Sequence, residues 1–379
     1  MFEDIFEFIR ARFDNADSIP LHEPRFLGNE KAYLNNCIDS TFVSSVGEYV
    51  NRFEMAVAEF TGSRHAIAVV NGTQGLFVGL KASGIDADCD VLTQSLTFVA
   101  TVNAIHYTGA SPVLLDVDHQ TLGLSPDALK QFLYDHTEVS KDRCINKVSG
   151  RRVAACMPMH TCGHPCRITE IAEICAENHI ELIEDAAESL GSFYADKHTG
   201  RFGRIGVLSF NGNKVITTGG GGMVITEDEE LAKRLRHLTT TAKVPHQWEF
   251  LHDQIGYNFR MPNLNAALGL AQLEQLPYFL GNKRQLANSY QKFFANREIT
   301  FIDEPSGCKS NFWLNTILMP NEKQKINFLE QANQQGIGAR SLWRPMHLLD
   351  MYRHCQRDAQ RNAEDIYRRG INLPSSAKG

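Results

Sequence analysis

The segment ITEIAEICAENHIELIEDAAESLG (168–191) contains the unit from which this chain is built. Ile168, Ile171 and Ile174 recur at helical spacing, and the run that starts at Ile180 is short and apolar, as in a buried strand. The strand ends in two acidic residues that are followed by small ones. A helix that leads directly into such a strand is part of a βαβ repeat and favours a parallel sheet.

The same alternation extends in both directions along the chain. The predicted strand AIAVV (66–70) precedes Asn71-Gly72-Thr73 and a helical stretch that reaches Ser83. Ser125 as an N-cap and Pro126 at the first helical position predict the start of another helix. Further strands are predicted at DVLTQ, SPVLLDV, RRVAACMPM, GVLSFN and GMVIT. Strand and helix alternation over this length predicts a mainly parallel sheet that is covered on both faces.

The pattern changes after about residue 263. Helices are predicted at 263–275, 283–296 and 323–335, and strands at NFWLNTILM (311–319) and 336–340. We therefore expect three parts: an amphipathic N-terminal arm (1–28), a large α/β domain (29–262) and a small C-terminal α+β domain (263–379).

Composition narrows the class of protein. The chain has 379 residues, 43% of them hydrophobic, and a net charge of −6, which argues against a non-specific nucleic-acid binder. The N-terminal sequence MFEDIFEFIRAR lacks the features of a signal peptide, and no apolar run reaches the length of a membrane span. The nine cysteines are scattered and odd in number. We therefore expect a cytoplasmic protein with reduced thiols and no membrane partner.

Three segments could carry chemistry. Asn71-Gly72-Thr73 lies between a strand and a helix, where free N–H groups can hold a phosphate, although an ordinary capped turn has the same residues. Asp185 ends a strand, where it could face a ligand nitrogen or simply cap a helix. Lys214 lies in a turn before four consecutive glycines (219–222). A lysine there can form a Schiff base with a carbonyl compound, whereas most turn lysines are merely solvated.

The segment CMPMHTCGHPC raises the alternative of a zinc site. Its candidate ligands are Cys156, His160, Cys162, His164 and Cys166. Their spacing differs from the paired C-x₂-C of common structural zinc sites, and Cys156 falls within a predicted buried strand. We therefore expect no metal.

Taken together, EDAAES (184–189), SFNGNK (209–214) and GYNFRMPNLNAALG (256–269) resemble the DegT-type sugar aminotransferases. The resemblance runs from about Asn29 to Pro374. It implies a pyridoxal-phosphate (PLP) enzyme of fold-type I, with a mainly parallel seven-stranded sheet between helices. The NGNK and ITTGGGG motifs are most similar to those of the branch that acts on UDP-linked 4-keto-6-deoxy-N-acetyl sugars, in the bacillosamine and legionaminic-acid pathways. Asn71, where the family often has Ser, fits that branch.

The resemblance also implies roles for single residues. Lys214 would form the Schiff base with the cofactor and then move a proton. Asp185 would pair with the pyridine nitrogen and keep it protonated, which makes the ring a better electron sink. Further cofactor contacts would be Phe98 on the ring, Glu188 near the ring hydroxyl, Gly72, Thr73 and Ser209 at the phosphate, and Asn258 at the neighbouring subunit's phosphate. The sugar nucleotide would lie among His160, Arg260, Trp343 and His347.

The expected reaction is the transfer of an amino group, from glutamate, to C4 of a nucleotide-linked 4-keto sugar, with ping-pong kinetics. The expected assembly is a homodimer with shared active sites. The alternative is a non-catalytic regulator or sugar-nucleotide-binding protein that keeps the PLP fold. Lys214 and Asp185 count against that alternative, because a protein without this chemistry has no need of either.

Overall fold

Strands separated by helices occupy residues 65–226 of the protein, whose structure is a computed structural model that describes residues 2–378. The strands of this part are β1 (His65–Val69), β2 (Cys89–Gln94), β3 (Ser111–Leu115), β4 (Thr137–Ser140), β5 (Arg143–Asn146), β6 (Arg152–Met157), β7 (Glu181–Asp185), β8 (Phe193–Tyr194), β9 (Lys197–His198), β10 (Ile205–Ser209) and β11 (Gly222–Thr226). The helices up to residue 239 are α1 (Glu3–Arg12), α2 (Glu30–Asp39), α3 (Glu48–Thr61), α4 (Gly72–Ala82), α5 (Val99–Tyr107), α6 (Pro126–His136), α7 (Ile168–Glu177) and α8 (Glu229–Thr239).

The central sheet follows the order β1-β11-β10-β7-β6-β2-β3. β11 runs antiparallel to both of its neighbours, and the pairs from β10 to β3 are all parallel. The predicted mainly parallel sheet is confirmed; its main path has seven strands, and β4 and β5 bring the total to nine. The hairpin of β4 and β5 extends the sheet beside β6. It was not predicted, because half of its strand residues are exposed and they form no apolar run.

Helices cover both faces of this sheet. Ile67 and Val69 of β1 pack with residues of α4 and α8, whereas Ala66 and Ala68 point to the other face and pack with α3. Every residue of β2 is buried. This is the burial expected of parallel strands between two layers of helices. The Ser125 side chain caps α6 by accepting the Ala128 N–H, as the sequence predicted.

The C-terminal part contains its own small sheet. Its helices are α9 (Asn263–Glu274), α10 (Leu276–Phe294), α11 (Glu322–Gln334) and α12 (Arg361–Arg369), and the strands after β11 are β12 (Lys243–Val244), β13 (Leu251–His252), β14 (Thr300–Phe301), β15 (Cys308–Lys309), β16 (Asn315–Leu318), β17 (Arg340–Ser341) and β18 (Gly370–Leu373). The small sheet has the order β14-β16-β18-β17 and is antiparallel.

The strand predicted at 336–340 was wrong except for its last residue. Gly336 follows α11 with φ +74°, a left-handed conformation that ends a helix and suits glycine. Its carbonyl accepts the Ile19 N–H at 2.8 Å, and the Gly338 N–H is donated to the Ile19 carbonyl at 2.7 Å. The segment is thus held by the N-terminal arm, and the strand begins only at Arg340.

Two helices pack away from their sequence neighbours. Phe2, Ile5, Phe6 and Ile9, at the start of the arm, are buried against the core of the C-terminal sheet. Helix α9 lies in the same apolar core as α3. The boundaries at 28 and 262 stay a prediction, but the packing joins α1 to the C-terminal part and α9 to the large one.

Among the helices of residues 2–378, none is at once long and apolar enough to cross a membrane. Helix α10 has 19 residues, but it carries Lys283, Arg284 and Lys292.

Candidate active site

A cavity of about 280 Å³ lies at the carboxyl ends of β1, β7 and β10. This is the edge at which open α/β sheets bind their ligands. It is lined by Asn71, Gly72, Thr73, Leu76, Phe98, Ala100, Met159, Asp185, Ala187, Glu188, Ser209, Asn211, Asn213, Lys214, Trp313 and Trp343. Three strand ends that are far apart in the sequence therefore meet around one space.

Glycines bring the start of α4 into this space. A methyl group at Gly72 would lie 3.0 Å from the Ser209 Cβ, and one at Gly222 would lie 2.7 Å from the Asn71 carbonyl carbon. The Asn71 side chain caps the helix by accepting the Gln74 N–H at 2.8 Å. The remaining free N–H groups of the first turn lie at the cavity with the Ser209 hydroxyl beside them, which makes an anion-binding cradle.

Asp185 supplies a buried carboxyl group. It is the last residue of β7 and only 2% exposed. One oxygen accepts the Thr101 hydroxyl at 2.7 Å and the other accepts the Ala187 N–H at 3.1 Å. Burial raises the pKa of Asp185, while these two donors and the Lys214 charge oppose that rise. A cationic ligand atom at this carboxylate would favour its ionised form.

Lys214 presents its amine to the same cavity. Its side chain is 12% exposed, and Nζ lies 3.5 Å from the Glu188 carboxylate and 3.9 Å from the centre of the Trp313 ring. The other Glu188 oxygen accepts the Cys162 N–H at 2.8 Å. Burial raises the pKa of Glu188 to about 7, although the neighbouring Lys214 lowers it. The amine is therefore held in one place by a carboxylate and an indole.

Aromatic rings form the wall beside the amine. Trp313 stacks on Trp343 with ring centres 6.4 Å apart, and Phe98 meets Trp343 edge-on at 6.2 Å. Phe98 is 46% exposed, so its ring is free to cover a planar ligand.

The other residues predicted around the sugar do not line this cavity. The His160 ring is buried and contacts Glu184 at 3.0 Å. Arg260 binds Glu54 and the Ala68 carbonyl. His347 is also buried; its two ring nitrogens contact the Ser95 hydroxyl at 2.6 Å and Glu364 at 3.2 Å. Only Trp343 of that set borders the cavity, and substrate roles for the others stay predictions.

Asn258 is placed differently again. It is exposed, and its backbone forms an isolated bridge with Thr240 rather than lining the cavity. An exposed position accords with a role at another subunit's site, which stays a prediction.

The residues considered for zinc are buried but do not gather around one point. Cys166 lies 3.5 Å from the His160 Nδ1, whereas Cys162 contacts Asn372 at 3.7 Å. Burial lowers the pKa of His164 to about 4, and its ring meets Phe312 edge-on. Within residues 2–378, no three His, Cys, Asp or Glu side chains are grouped to hold a metal ion.

Sequence reasoning missed Trp313, Asn213 and Met159 at the cavity. Trp313 falls within the predicted strand 311–319, a pattern that does not indicate a cavity residue. The one available signal was its type, because the chain contains only three tryptophans.

The cavity fits PLP on three counts. A cradle kept open by Gly72 suits the phosphate, the buried Asp185 suits a ring nitrogen, and the Lys214 amine can condense with an aldehyde. Phe98 would cover the ring, and Glu188 would lie by its hydroxyl.

Comparison with known proteins agrees with this cavity. Residues 26–378 match the DegT/DnrJ/EryC1/StrS aminotransferase family model. The chain is 38% identical over 357 residues to GDP-perosamine synthase of Escherichia coli O157:H7, covering 94% of this chain and 93% of the relative. It is 36% identical over 363 residues to GDP-perosamine synthase of Vibrio cholerae, covering 94% of each.

A solved structure agrees as well. Helicobacter pylori PseC, described as an aminotransferase involved in the biosynthesis of pseudoaminic acid, superposes with a TM-score of 0.84 at 25% identity, covering 94% of this chain and 93% of that one. The fold is thus the fold-type I arrangement of PLP enzymes. The chain belongs to the DegT/DnrJ/EryC1/StrS aminotransferase family and is a PLP-dependent sugar aminotransferase.

Proposed function

We propose that this enzyme moves an amino group from glutamate to C4 of a nucleotide-linked 4-keto-6-deoxy sugar. The observation that carries the proposal is that the Lys214 amine, the buried Asp185 carboxylate and the cradle at Gly72 meet on one cavity. Bound PLP would supply the electron sink that lets a C–H bond beside nitrogen break. The protein must then hold the cofactor, orient the donor carbon and move one proton.

Each of these tasks has a proposed residue. Gly72, Thr73 and Ser209 would bind the phosphate with backbone N–H groups and hydroxyls. Asp185 would keep a proton on the ring nitrogen, and the Thr101 hydroxyl at 2.7 Å fixes the orientation of that carboxylate. Lys214 would hold the cofactor through its Nζ and move the proton. The Glu188 carboxylate, 3.5 Å from Nζ, orients that amine and would lie near the ring hydroxyl.

Two sugar nucleotides are candidates for the acceptor. The glycine run and the NGNK segment resemble those of enzymes that use UDP-linked N-acetyl sugars. The two relatives named GDP-perosamine synthase, at 38% and 36% identity, favour a GDP-linked sugar. Trp343 at the cavity wall would contact the sugar in either case, with His160, Arg260 and His347 as more distant contributors.

We also propose that the enzyme works as a homodimer in a reducing, cytoplasmic compartment. Asn258 is exposed and would reach the cofactor phosphate of the neighbouring subunit. All nine cysteines are buried free thiols, which accords with a reducing compartment.

The test is a panel of UDP-, dTDP- and GDP-linked 4-keto-6-deoxy sugars incubated with glutamate, with release of 2-oxoglutarate as the readout. A matched reaction with Lys214→Ala measures background. We expect release that depends on both the sugar and Lys214, with ¹⁵N from labelled glutamate appearing at C4 of the product. The UDP and GDP arms decide between the two acceptors. If no sugar of the panel gives Lys214-dependent release, the proposed reaction is wrong.

A further inference from the structure

Trp313 makes two separate contacts with the loop that carries the reactive amine. The face of its ring lies 3.9 Å from the Lys214 Nζ, and its ring N–H is donated to the Asn213 carbonyl at 2.6 Å. Asn213 immediately precedes Lys214. One side chain therefore holds both the tip of the lysine and the backbone from which that lysine starts.

Trp313 is itself firmly held. It is 4% exposed, and its ring stacks on Trp343 at an interplanar angle of 13°. Its backbone N–H is donated to the Asn311 side chain at 2.8 Å, and its carbonyl accepts the buried Lys283 ammonium at 3.1 Å. A side chain fixed at its backbone and on its ring can act as a rigid support for a flexible neighbour.

The lysine needs such support. A lysine side chain has a flexible four-carbon stem and loses much rotamer freedom when it is fixed. The Lys214 turn is bonded within itself through the Lys214 N–H and the Asn211 carbonyl at 3.0 Å, which fixes the backbone and leaves the side chain free. Among the described contacts of Nζ, only Glu188 and Trp313 hold the amine.

We propose that Trp313 is a positioning residue that holds the free Lys214 amine ready for covalent capture of the cofactor. The inference rests on the proposed role of Lys214. An indole face attracts the ammonium form of the amine and so keeps it at the cavity; the proton must still leave before the amine attacks, and the support that Trp313 gives is one of position. The same contact would receive the amine whenever Lys214 is released from the cofactor during the reaction cycle.

The test uses apoenzyme and two cofactor forms. PLP carries an aldehyde that Lys214 can capture: the amine would lose its proton to solvent and add to the carbonyl carbon, and the carbonyl oxygen would leave as water, so that a C=N bond replaces C=O. Capture is followed by the visible absorbance of the lysine-bound cofactor. Pyridoxamine phosphate carries an amine instead, so its binding reports the rest of the site. Wild type must capture PLP and Lys214→Ala must not; a failure at this step would count against the proposed function rather than against the role of Trp313.

Once wild type is shown to capture PLP and Lys214→Ala is shown not to, Trp313→Leu should capture PLP about ten-fold more slowly than wild type. Its affinity for pyridoxamine phosphate should stay within about two-fold of wild type, because the phosphate and ring contacts are kept. Trp313→Phe, which keeps an aromatic face but lacks the N–H group, should lie between Trp313→Leu and wild type. Phe312→Leu is the matched control, since it removes the adjacent buried ring, which faces His164 and not Lys214.

Three results would overturn the inference. Trp313→Leu could capture PLP at the wild-type rate. It could lose pyridoxamine phosphate affinity by the same factor as capture, which would make Trp313 only a wall of the cofactor site. Phe312→Leu could slow capture as much as Trp313→Leu, which would make the effect a general one of core packing. If Trp313→Leu does not fold, Trp313→Phe decides by the same readouts.

Discussion

Single residues in the cavity bring opposite charges close together. Burial raises the pKa of Asp185 and that of Glu188, the latter to about 7, and the Lys214 ammonium opposes both shifts. The charges of Lys214 and His160 both favour the ionised form of Asp185. A protonated ring nitrogen beside Asp185 would add a further positive charge at this carboxylate and leave the Lys214 ammonium to Glu188.

Replacing Asp185 with Asn should test this charge argument. The amide keeps the shape and the Thr101 contact but removes the charge that would hold a proton on the ring nitrogen. We expect the half-reaction with glutamate, followed by single-turnover absorbance, to slow by orders of magnitude while bound cofactor falls only modestly. Thr101→Val is the milder control, because it removes the hydrogen bonds of the Thr101 hydroxyl to Asp185 and Thr97 and leaves the charge. An unchanged half-reaction in Asp185→Asn would make Asp185 a structural cap.

The sequence predicted some of the cavity residues and missed others, and the difference has a physical reason. Asp185 is the last residue of β7 and Lys214 lies in the turn that follows β10, and parallel strands bring their carboxyl ends to one edge, so the local pattern sufficed to place both there. Trp313 reaches the cavity from the C-terminal part of the chain, 99 residues after Lys214. Nothing in its local pattern distinguishes it from core. The sequence predicted His160 near the sugar nucleotide, but the folded chain buries its ring against Glu184. No local pattern indicates that pairing.

Among the elements, the close approach of β11 to the start of α4 shapes the phosphate cradle. A methyl group at Gly222 would lie 2.7 Å from the Asn71 carbonyl carbon and 2.8 Å from the Gly72 nitrogen. Gly222→Ala should therefore push the helix start off the strand, which costs about 1–3 kcal/mol of stability. It should also weaken cofactor affinity, measured by fluorescence titration of the apoenzyme.

Gly220→Ala supplies the matched control from the same glycine run. Its added methyl group would meet nothing nearer than the Val70 carbonyl oxygen, at 3.9 Å. We expect stability and cofactor affinity close to wild type. Equal losses in the two variants would mean that the run is sensitive to alanine in general, and that the contact at Gly222 has no special part.

Helix α10 is joined to the Trp313 segment by a buried lysine. The Lys283 Nζ donates to the Ser375 carbonyl at 2.6 Å and to the Trp313 carbonyl at 3.1 Å, and burial lowers the pKa of Lys283 to about 7. The pKa of a lysine in the unfolded chain is about 10.4. Between these values the unfolded chain binds more protons, so the contribution of Lys283 to stability increases as pH rises and falls away towards pH 7.

Lys283→Met removes this titration and allows it to be measured. We expect the free energy of unfolding of wild type, relative to the variant, to rise between about pH 7 and 10, by at most about 1.4 kcal/mol per pH unit. Urea unfolding of both proteins at several pH values gives this difference, and groups that titrate in both proteins cancel. A difference that is flat with pH would mean that Lys283 keeps an ordinary pKa in the folded protein.

The element pattern was largely readable because it depends on apolar periodicity and on caps such as Ser125. The exceptions depend on contacts between distant segments. Residues 336–340 were predicted as a strand, but two of the five are glycines, which strands disfavour, and Gly338 is bonded to Ile19 of the arm, so only Arg340 and Ser341 enter the sheet. The arm itself contributes Phe6 and Ile9 to the C-terminal core, which no local pattern indicates.

At the scale of the whole molecule, the segment that carries Asn258 also carries large exposed apolar side chains. Trp248 and Phe250 lie on the connection between β12 and β13 and are 73% and 79% exposed, and Ile255 is 84% exposed. Large exposed apolar groups on one segment mark a surface that another protein covers. A second copy of this chain is the proposed occupant, since the same segment would bring Asn258 to the other cavity.

Mixing two inactive variants tests this arrangement. Asn258→Asp would set a carboxylate against the cofactor phosphate and weaken binding through repulsion, whereas Lys214→Ala removes the reactive amine. In a hybrid dimer one cavity would combine both substitutions, and the other would hold the native Lys214 and Asn258. After subunit exchange, each hybrid should therefore regain up to half of the wild-type activity, as measured by 2-oxoglutarate release. Differently tagged chains and tandem purification show that hybrids have formed. A hybrid that stays inactive would mean that Lys214 and Asn258 serve the same chain's cavity or that Asn258 has another task.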